Sequence, residues 1–140
     1  MRTIEIRTSS RRQMVNVTAR LQEVVGEAAL ESGLCHVQVP HTTASVVVNE
    51  SADPDVARDL LAAYQAMVPG VRFAHAEGNS DAHLMATLLG SSITLPVEGA
   101  RLKLGTWQGV FLVELDGPRI RQLWVTVLDA ERARELKADS

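Results

Sequence analysis

Apolar and polar positions alternate along several short stretches of the chain, which is the pattern of strands with one buried face. Residues 1–8 and 34–40 alternate in this way, and residues 44–48 form a β-branched run typical of a buried strand. The last third of the chain consists of further short stretches of this type, separated by turn residues. The pattern predicts eight strands, over residues 1–8, 14–17, 34–40, 44–48, 92–97, 101–104, 107–115 and 120–128.

Other segments repeat their apolar residues at the helical spacing of three and four. Thr18 is suited to cap the first of these helices, and Gly33 is placed to end it. Asp53-Pro54 is a strong start for the second helix, because an N-cap acceptor precedes a proline at the first helical position, and Pro69 ends it. The buried stripe of the second helix is predicted to be Val56, Leu60, Leu61, Tyr64 and Met67.

A third helix follows an irregular loop. Asn79 or Ser80 caps it, Leu84 and Leu88 mark its apolar face, and Gly90 ends it. Helices in the first two thirds and hairpins in the last third predict an α+β domain. Eight short strands with about three helices favour two packed, mostly antiparallel β-sheets over a doubly wound fold.

Length and composition narrow the class of protein. The 140 residues make one domain, over residues 1–140, with a charged tail at 129–140. The net charge of −3 argues against a nucleic-acid surface, because phosphate backbones need a clustered basic face. Cys35 is the only cysteine, so no intrachain disulfide is expected, and its apolar neighbours predict a packing role. Walker A, GxGxxG and GxSxG motifs are absent from the sequence.

The sequence indicates neither export nor membrane insertion. Its first residues alternate like a strand and lack the apolar segment of a signal peptide. No apolar run approaches the roughly 20 residues that span a bilayer. We therefore expect a cytoplasmic protein without a membrane partner.

Polar residues stand in three groups among the apolar stretches, at residues 41–50, 75–83 and 105–114. Three histidines, His41, His75 and His83, would together suit an open zinc or nickel site. Glu50 or Glu114 would then be a general base, or the partner that orients an imidazole ring. The alternative is that the histidines are separate capping and hydrogen-bonding residues, and that Asn79 is a simple helix cap.

The sequence also predicts a phosphate-binding site. Arg119 and Arg121 are two residues apart, so their side chains share a face if a strand has begun, and paired guanidiniums suit a phosphate or carboxylate. The alternative is a solvated strand face on which the arginines pair with Glu114 or Asp116. Trp107 is either a pocket wall or a core residue.

In this order the polar groups resemble the YjbQ family, over Arg2 to about Leu128. The resemblance implies an α+β fold with two sheets, a homotrimer, and a polar pocket near a subunit interface. It also implies secondary thiamine-phosphate synthase activity, which joins hydroxymethylpyrimidine diphosphate to thiazole phosphate and releases pyrophosphate. The motifs that carry it are residues 41–45, Asn49-Glu50, His75 with residues 78–83, Gly90, residues 104–108, and Glu114 with residues 116–121.

Carried over residue by residue, the resemblance proposes three sets of site residues on a metal-assisted enzyme acting on a phosphorylated small molecule. Magnesium is expected with a diphosphate substrate, and zinc or nickel at the histidines. A non-enzymatic trimer that binds a metal or an anion is the alternative. The catalytic set is Glu50, Glu114 and Asn79; the phosphate-binding set is Arg119, Arg121, Thr106, Gln108 and Asn49; the metal set is His41, His75 and His83.

Overall fold

The structure, a computed structural model, describes residues 1–69, 73–74 and 78–132. In this part of the chain eight strands and three helices follow one another in the predicted order. Their bounds are β1 Arg2–Arg7, β2 Gln13–Asn16, α1 Thr18–Ala28, β3 Ser32–Gln38, β4 Ala44–Glu50, α2 Pro54–Ala66, α3 Ser80–Leu89, β5 Ser92–Glu98, β6 Arg101–Leu102, β7 Gln108–Glu114 and β8 Ile120–Asp129.

The strands form two antiparallel sheets. The five-stranded sheet has the order β1-β8-β3-β5-β6, and the three-stranded sheet has the order β2-β7-β4. The main core lies between them, because alternate residues of each strand point inward: Leu123 and Val125 from β8 meet Val46, Val110 and Leu112 from β4 and β7. The predicted two-sheet α+β fold is confirmed.

The helices complete the layers. Helix α1 contributes Leu21, Val24 and Val25 to the main core. Helices α2 and α3 cover the other face of the three-stranded sheet, where Met85 of α3 packs with Val113 of β7. Because both faces of β4 and β7 are covered, these strands are apolar almost throughout, as the run at residues 44–48 indicated. No helix in the described residues has the length and apolarity that crossing a membrane requires.

The predicted ends of the first helix need correction. Thr18 is the first helical residue and Val17 is the N-cap. The helix ends at Ala28, followed by Ala29 in the left-handed conformation, so Gly33 does not terminate it. Gly33 instead lies in β3, where a β-carbon would stand 2.1 Å from the carbonyl oxygen of Leu128. Close strand contact, and not a helix end, therefore accounts for this glycine.

The predicted buried faces of the other two helices are also partly wrong. Helix α2 begins as predicted, with the Asp53 side chain accepting from the Asp55 N–H, but none of its residues is fully buried, and Met67 after its last turn is 63% exposed. In α3, Leu88 is 62% exposed, and the buried residues are Ala82, Met85 and Ala86. Small side chains let α3 lie close to the sheet, so its large apolar residues do not mark its buried face. The strand predicted at residues 101–104 is only two residues long.

Candidate functional site

Strands β7 and β4 of the three-stranded sheet separate the polar groups. In the antiparallel register of β4 and β7, Ala44 is opposite Glu114 and Glu50 is opposite Gln108. Six residue steps of about 3.3 Å separate these pairs, a distance of about 20 Å. The predicted site is therefore two regions: the arginine pocket, lined by Pro40, His41, Thr42, Thr43, Asn79, His83, Arg119 and Arg121, and the tryptophan end, formed by Asn49, Glu50, Ser51, Thr106, Trp107 and Gln108.

A buried ion pair forms the inner wall of the arginine pocket. Arg121 follows the inward alternation of Leu123 and Val125 on β8, and Glu114 points inward from β7, so their pair links the two sheets at the end of the core. The Arg121 Nε lies 2.9 Å from both carboxylate oxygens, and Nη2 also donates to Oε2. Glu114 is 0% exposed and Arg121 is 3% exposed. Each charge therefore depends on the other for compensation.

Two threonines satisfy the remaining hydrogen bonds of this pair. Thr43 accepts from Arg121 Nη2 through its carbonyl oxygen at 3.0 Å and its hydroxyl at 2.9 Å. Thr8 donates its hydroxyl proton to Glu114 Oε1 at 2.7 Å, and its Oγ1 accepts from the Arg119 N–H at 2.9 Å. Glu114 thus has little capacity left for a substrate proton, and its role as a base stays a prediction.

Arg119 belongs to a second hydrogen-bond network, which is more exposed to solvent. Its Nε donates to the Asp116 carbonyl at 2.7 Å, and its Nη2 donates to Asp116 Oδ2 at 2.9 Å. The Asn79 amide donates to the same carboxylate oxygen at 2.9 Å. Both arginines therefore pair with carboxylates, as the solvated-face alternative expected, but Arg121 is buried and still lines the pocket. Within the described residues, the Nη1 of each arginine has no partner.

The environment of Asp116 favours its ionised form. Burial pushes the pKa of Asp116 upward, but hydrogen bonds from Asn79 and Arg119, with the charges of Arg119 and Arg11, outweigh burial and lower it below its ordinary value. Asn79 is the N-cap of α3, yet its side chain makes no capping bond. Its Oδ1 is the buried side-chain atom that lacks a hydrogen-bond partner among the described residues. The amide therefore serves Asp116 and not the helix end.

His41 is held by the backbone of β8. The N–H of Gln122 donates to His41 Nε2 at 2.9 Å. Burial lowers the pKa of His41, the charge of Arg121 lowers it further, Glu114 opposes this, and Arg119 adds to the lowering. The ring is therefore neutral near pH 7.

His83 stands on the facing helix. It is the fourth residue of α3, one position further from the helix start than a Ser80 cap would have placed it. His83 lines the arginine pocket, of about 370 Å³, and also an adjoining hollow of about 410 Å³ that is shared with His41 and Thr42. The structure therefore brings His41 and His83 together, whereas His75 lies outside the described residues.

The zinc or nickel site predicted at the three histidines stays a prediction, because His75 lies outside the described residues. Among them there is no group of three His, Cys, Asp or Glu side chains placed to hold a metal ion. A neutral imidazole binds a metal through its single lone pair, and in His41 that lone pair accepts from Gln122. His41 thus provides no open ligand in this arrangement.

The tryptophan end is built differently from the arginine pocket. Its main contacts are backbone hydrogen bonds, including the Ser51 N–H to the Trp107 carbonyl at 2.8 Å. The Asn49 side chain accepts from the Glu50 N–H at 2.7 Å. Trp107 is 63% exposed and is not a core residue. Gly109 is required here, because a β-carbon would lie 2.6 Å from the Ser51 β-carbon.

A hollow of about 710 Å³ adjoins this end and is lined by Ser51, Gln108 and residues of α1 and β6. Its amides bond to their own chain: Gln22 donates to the Ala100 carbonyl and accepts from the Leu102 N–H, and Gln108 accepts from the Gly105 N–H. Charged and ionisable groups converge instead in the smaller arginine pocket.

Five of the predicted residues meet around the arginine pocket, and four do not reach it within one chain. Asn49, Glu50, Thr106 and Gln108 lie near or in the tryptophan end, so their roles stay predictions. Sequence reasoning missed Thr8, Thr43 and Gln122 as contributors. A threonine at the end of an edge strand and a backbone N–H carry no distinctive signal. The residues that meet are Asn79, His41, His83, Arg119 and Arg121, with Glu114 behind them.

Fold and pocket together define a small α+β protein of two antiparallel sheets with an ionisable pocket at one end. The model of the UPF0047 protein YjbQ-like family matches residues 2–130, and the chain belongs to that family. UPF0047 protein YugU of Bacillus subtilis is 37% identical over 130 residues, covering 91% of this chain and 98% of that protein. UPF0047 protein MJ1081 of Methanocaldococcus jannaschii is 38% identical over 125 residues, covering 89% and 91%.

Solved structures agree with the fold. A crystal structure of a YjbQ/UPF0047 family protein from Clostridium acetobutylicum is 41% identical and has a TM-score of 0.88, covering 91% of this chain and 100% of that chain. The structure of the conserved hypothetical protein TT1486 from Thermus thermophilus is 42% identical with a TM-score of 0.84, covering 91% and 100%. The predicted family and the predicted fold are thus both confirmed.

Proposed function

We propose that the chain is an enzyme that binds the phosphate group of a small molecule in the arginine pocket. The observation that carries this proposal is the convergence of Arg119, Arg121 and His41, which supply hydrogen-bond donors from two segments that are distant in the sequence. Guanidinium groups bind phosphate through charge-assisted hydrogen bonds, and the unpartnered Nη1 atoms are available for them. The Thr42 hydroxyl at the pocket wall adds a neutral donor.

The reaction that we propose is the one implied by the family resemblance. A carbon–nitrogen bond forms between the pyrimidine methylene and the thiazole nitrogen, while the bond to the diphosphate breaks and pyrophosphate leaves. Donors at the departing phosphate stabilise its developing charge. Any magnesium arrives with the diphosphate, and we assign no step to a metal held by the histidines.

Isothermal titration calorimetry with inorganic phosphate and pyrophosphate, with and without magnesium chloride, tests the proposed pocket. We expect Arg119→Gln to weaken binding at least about tenfold, the equivalent of one charge-assisted hydrogen bond. Arg101→Gln is the matched control, because Arg101 lines the hollow at the other end. Equal affinities of the two variants would place the phosphate elsewhere, and no heat from wild type would reject the pocket.

The second candidate is the non-enzymatic anion-binding module. It is favoured by the absence of a carboxylate among the described residues that line the arginine pocket, since Glu114 is engaged by Arg121. Pyrophosphate release from the two thiamine precursors separates the candidates. Turnover that His83→Gln abolishes while phosphate affinity is kept supports the enzyme. Binding without turnover in wild type supports the module.

We also propose the homotrimer that the resemblance implies. The tryptophan end and the arginine pocket of one chain are about 20 Å apart, so Glu50 reaches a pocket only in another copy. Sedimentation equilibrium gives the subunit number. Mixing Glu50→Gln with Arg119→Gln then tests sharing, because a shared site recovers part of the activity in mixed trimers.

A further inference from the structure

We propose that His41 binds an oxyanion as a neutral hydrogen-bond donor, through a proton on Nδ1, and is not a metal ligand. This inference rests on the proposed function, since the oxyanion is the phosphate group in the arginine pocket. Its basis is the hydrogen bond from the Gln122 N–H to His41 Nε2 at 2.9 Å. A backbone amide only donates, so Nε2 presents its lone pair, and the single proton of a neutral imidazole then resides on Nδ1.

The hydrogen bond also fixes the ring for a structural reason. The first residue of β8 that pairs with β3 is Trp124, opposite Gln38. Gln122 lies beyond that pairing, and the ring of His41, three residues after Gln38, provides the acceptor for its N–H. Breaking this bond to free Nε2 would leave a strand N–H without its partner. The tautomer is therefore set by the sheet before any ligand arrives.

The surroundings suit an anion better than a cation. Among the described residues no acceptor bonds to Nδ1 of His41. The ring shares the pocket with Arg119 and Arg121, whose guanidinium N–H groups can donate to a phosphate oxygen but cannot ligate a metal ion. A phosphate oxygen that accepts from Nδ1–H would be oriented without any additional charge from the ring. The ligand class is accordingly a phosphate monoester or diphosphate.

Nuclear magnetic resonance of the ligand-free protein tests the tautomer directly. The ¹⁵N and ¹³C ring shifts of His41, assigned by their loss in His41→Gln, should show a protonated Nδ1 and an unprotonated Nε2. A protonated Nε2 would overturn the inference, whether or not phosphate binds.

Two variants test the anion contact, because the amide of asparagine lies near the position of Nδ1 and that of glutamine near Nε2. His41→Gln keeps an acceptor for Gln122, so we expect a preserved thermal midpoint and a loss of inorganic phosphate affinity of about tenfold. His41→Asn keeps the donor, so we expect affinity within about threefold of wild type and a lower midpoint. Affinity unchanged in His41→Gln, with wild type binding phosphate, would overturn this inference alone.

Titration with zinc chloride tests whether His41 is a metal ligand. We expect no difference in zinc affinity between wild type and either variant, because the ring has no lone pair to offer. Stoichiometric zinc binding by wild type that both variants abolish would show that His41 is a metal ligand. If wild type binds no phosphate at all, the proposed function fails, and the ring shifts still decide the tautomer.

Discussion

The two ends of the three-stranded sheet present the same kinds of side chain in opposite ways. At the arginine pocket, Glu114 and Arg121 are buried and compensate each other across the two sheets. At the tryptophan end, Glu50 is half-buried at its strand end and Trp107 is 63% exposed, while backbone hydrogen bonds hold the turn. A carboxylate at one end is thus part of the core, and a carboxylate at the other is available to solvent or a partner.

Residue type alone therefore does not specify the role of a carboxylate. Burial makes the Glu114–Arg121 pair costly to break, since either group alone would be an uncompensated charge in the interior. Glu50 is only half-buried, so its conversion to glutamine leaves no uncompensated charge in the interior. Substitutions at matched positions therefore provide a direct measure of how unlike the ends are.

The largest effect is expected from neutralising the two carboxylates in turn. Glu114→Gln leaves Arg121 buried without its counter-charge and should lower the free energy of unfolding by about 3–5 kcal/mol. Glu50→Gln should change it by no more than about 0.5 kcal/mol. Urea denaturation monitored by tryptophan fluorescence measures both. A loss below about 1 kcal/mol for Glu114→Gln would mean that the ends differ in burial but not in energetics.

A smaller effect is expected from adding one methyl group at each end. A β-carbon at Gly117 would lie 2.4 Å from the Ser10 carbonyl oxygen and 2.8 Å from Glu114 Cγ, and one at Gly109 would lie 2.6 Å from Ser51 Cβ. Each alanine substitution should lower the free energy of unfolding by about 1–3 kcal/mol, because the added β-carbon overpacks its site. Only Gly117→Ala should also weaken phosphate binding, because it displaces Glu114. Calorimetry showing the loss in Gly109→Ala instead would connect the tryptophan end to the pocket.

The smallest effect concerns the amide that supports Asp116. Asn79→Leu removes the hydrogen bond to this carboxylate and the unpartnered Oδ1, with no capping bond to lose. The folded-state pKa of Asp116 lies below its ordinary value of 3.8, so the stability it contributes is present above that pH and is lost as pH falls through the folded pKa.

When the pH is lowered from 6 to 3, the free energy of unfolding of wild type should therefore fall by up to about 1 kcal/mol more than that of Asn79→Leu. The pKa of Asp116 should rise in the variant. Denaturation at several pH values and carboxyl ¹³C titration measure the two quantities. Parallel pH profiles for the two proteins would show that Arg119 alone maintains the ionised form.

Much of the architecture follows from local pattern. Alternation predicts the strand positions, and Asp53-Pro54 predicts the start of α2. Both can be predicted because they depend only on neighbouring residues along the chain. The pairing of arginines with Glu114 or Asp116 was one of two open alternatives, because spacing shows that two side chains share a face but not what stands opposite them. Helix faces were harder: Leu88 is exposed and Ala82 is buried, since the sheet beneath α3 accepts small residues.

Pattern along the chain is sufficient to predict the order of strands and helices and the family to which the chain belongs. Which polar groups meet depends on tertiary contacts. The register of β4 against β7 sends Glu50 and Glu114 to opposite ends, and the pairing of β8 beside β1 and β3 turns Arg121 inward and directs the Gln122 N–H to His41. The physical reason is that register and layer order arise from contacts between distant segments, whereas periodicity reports only a residue's own strand or helix.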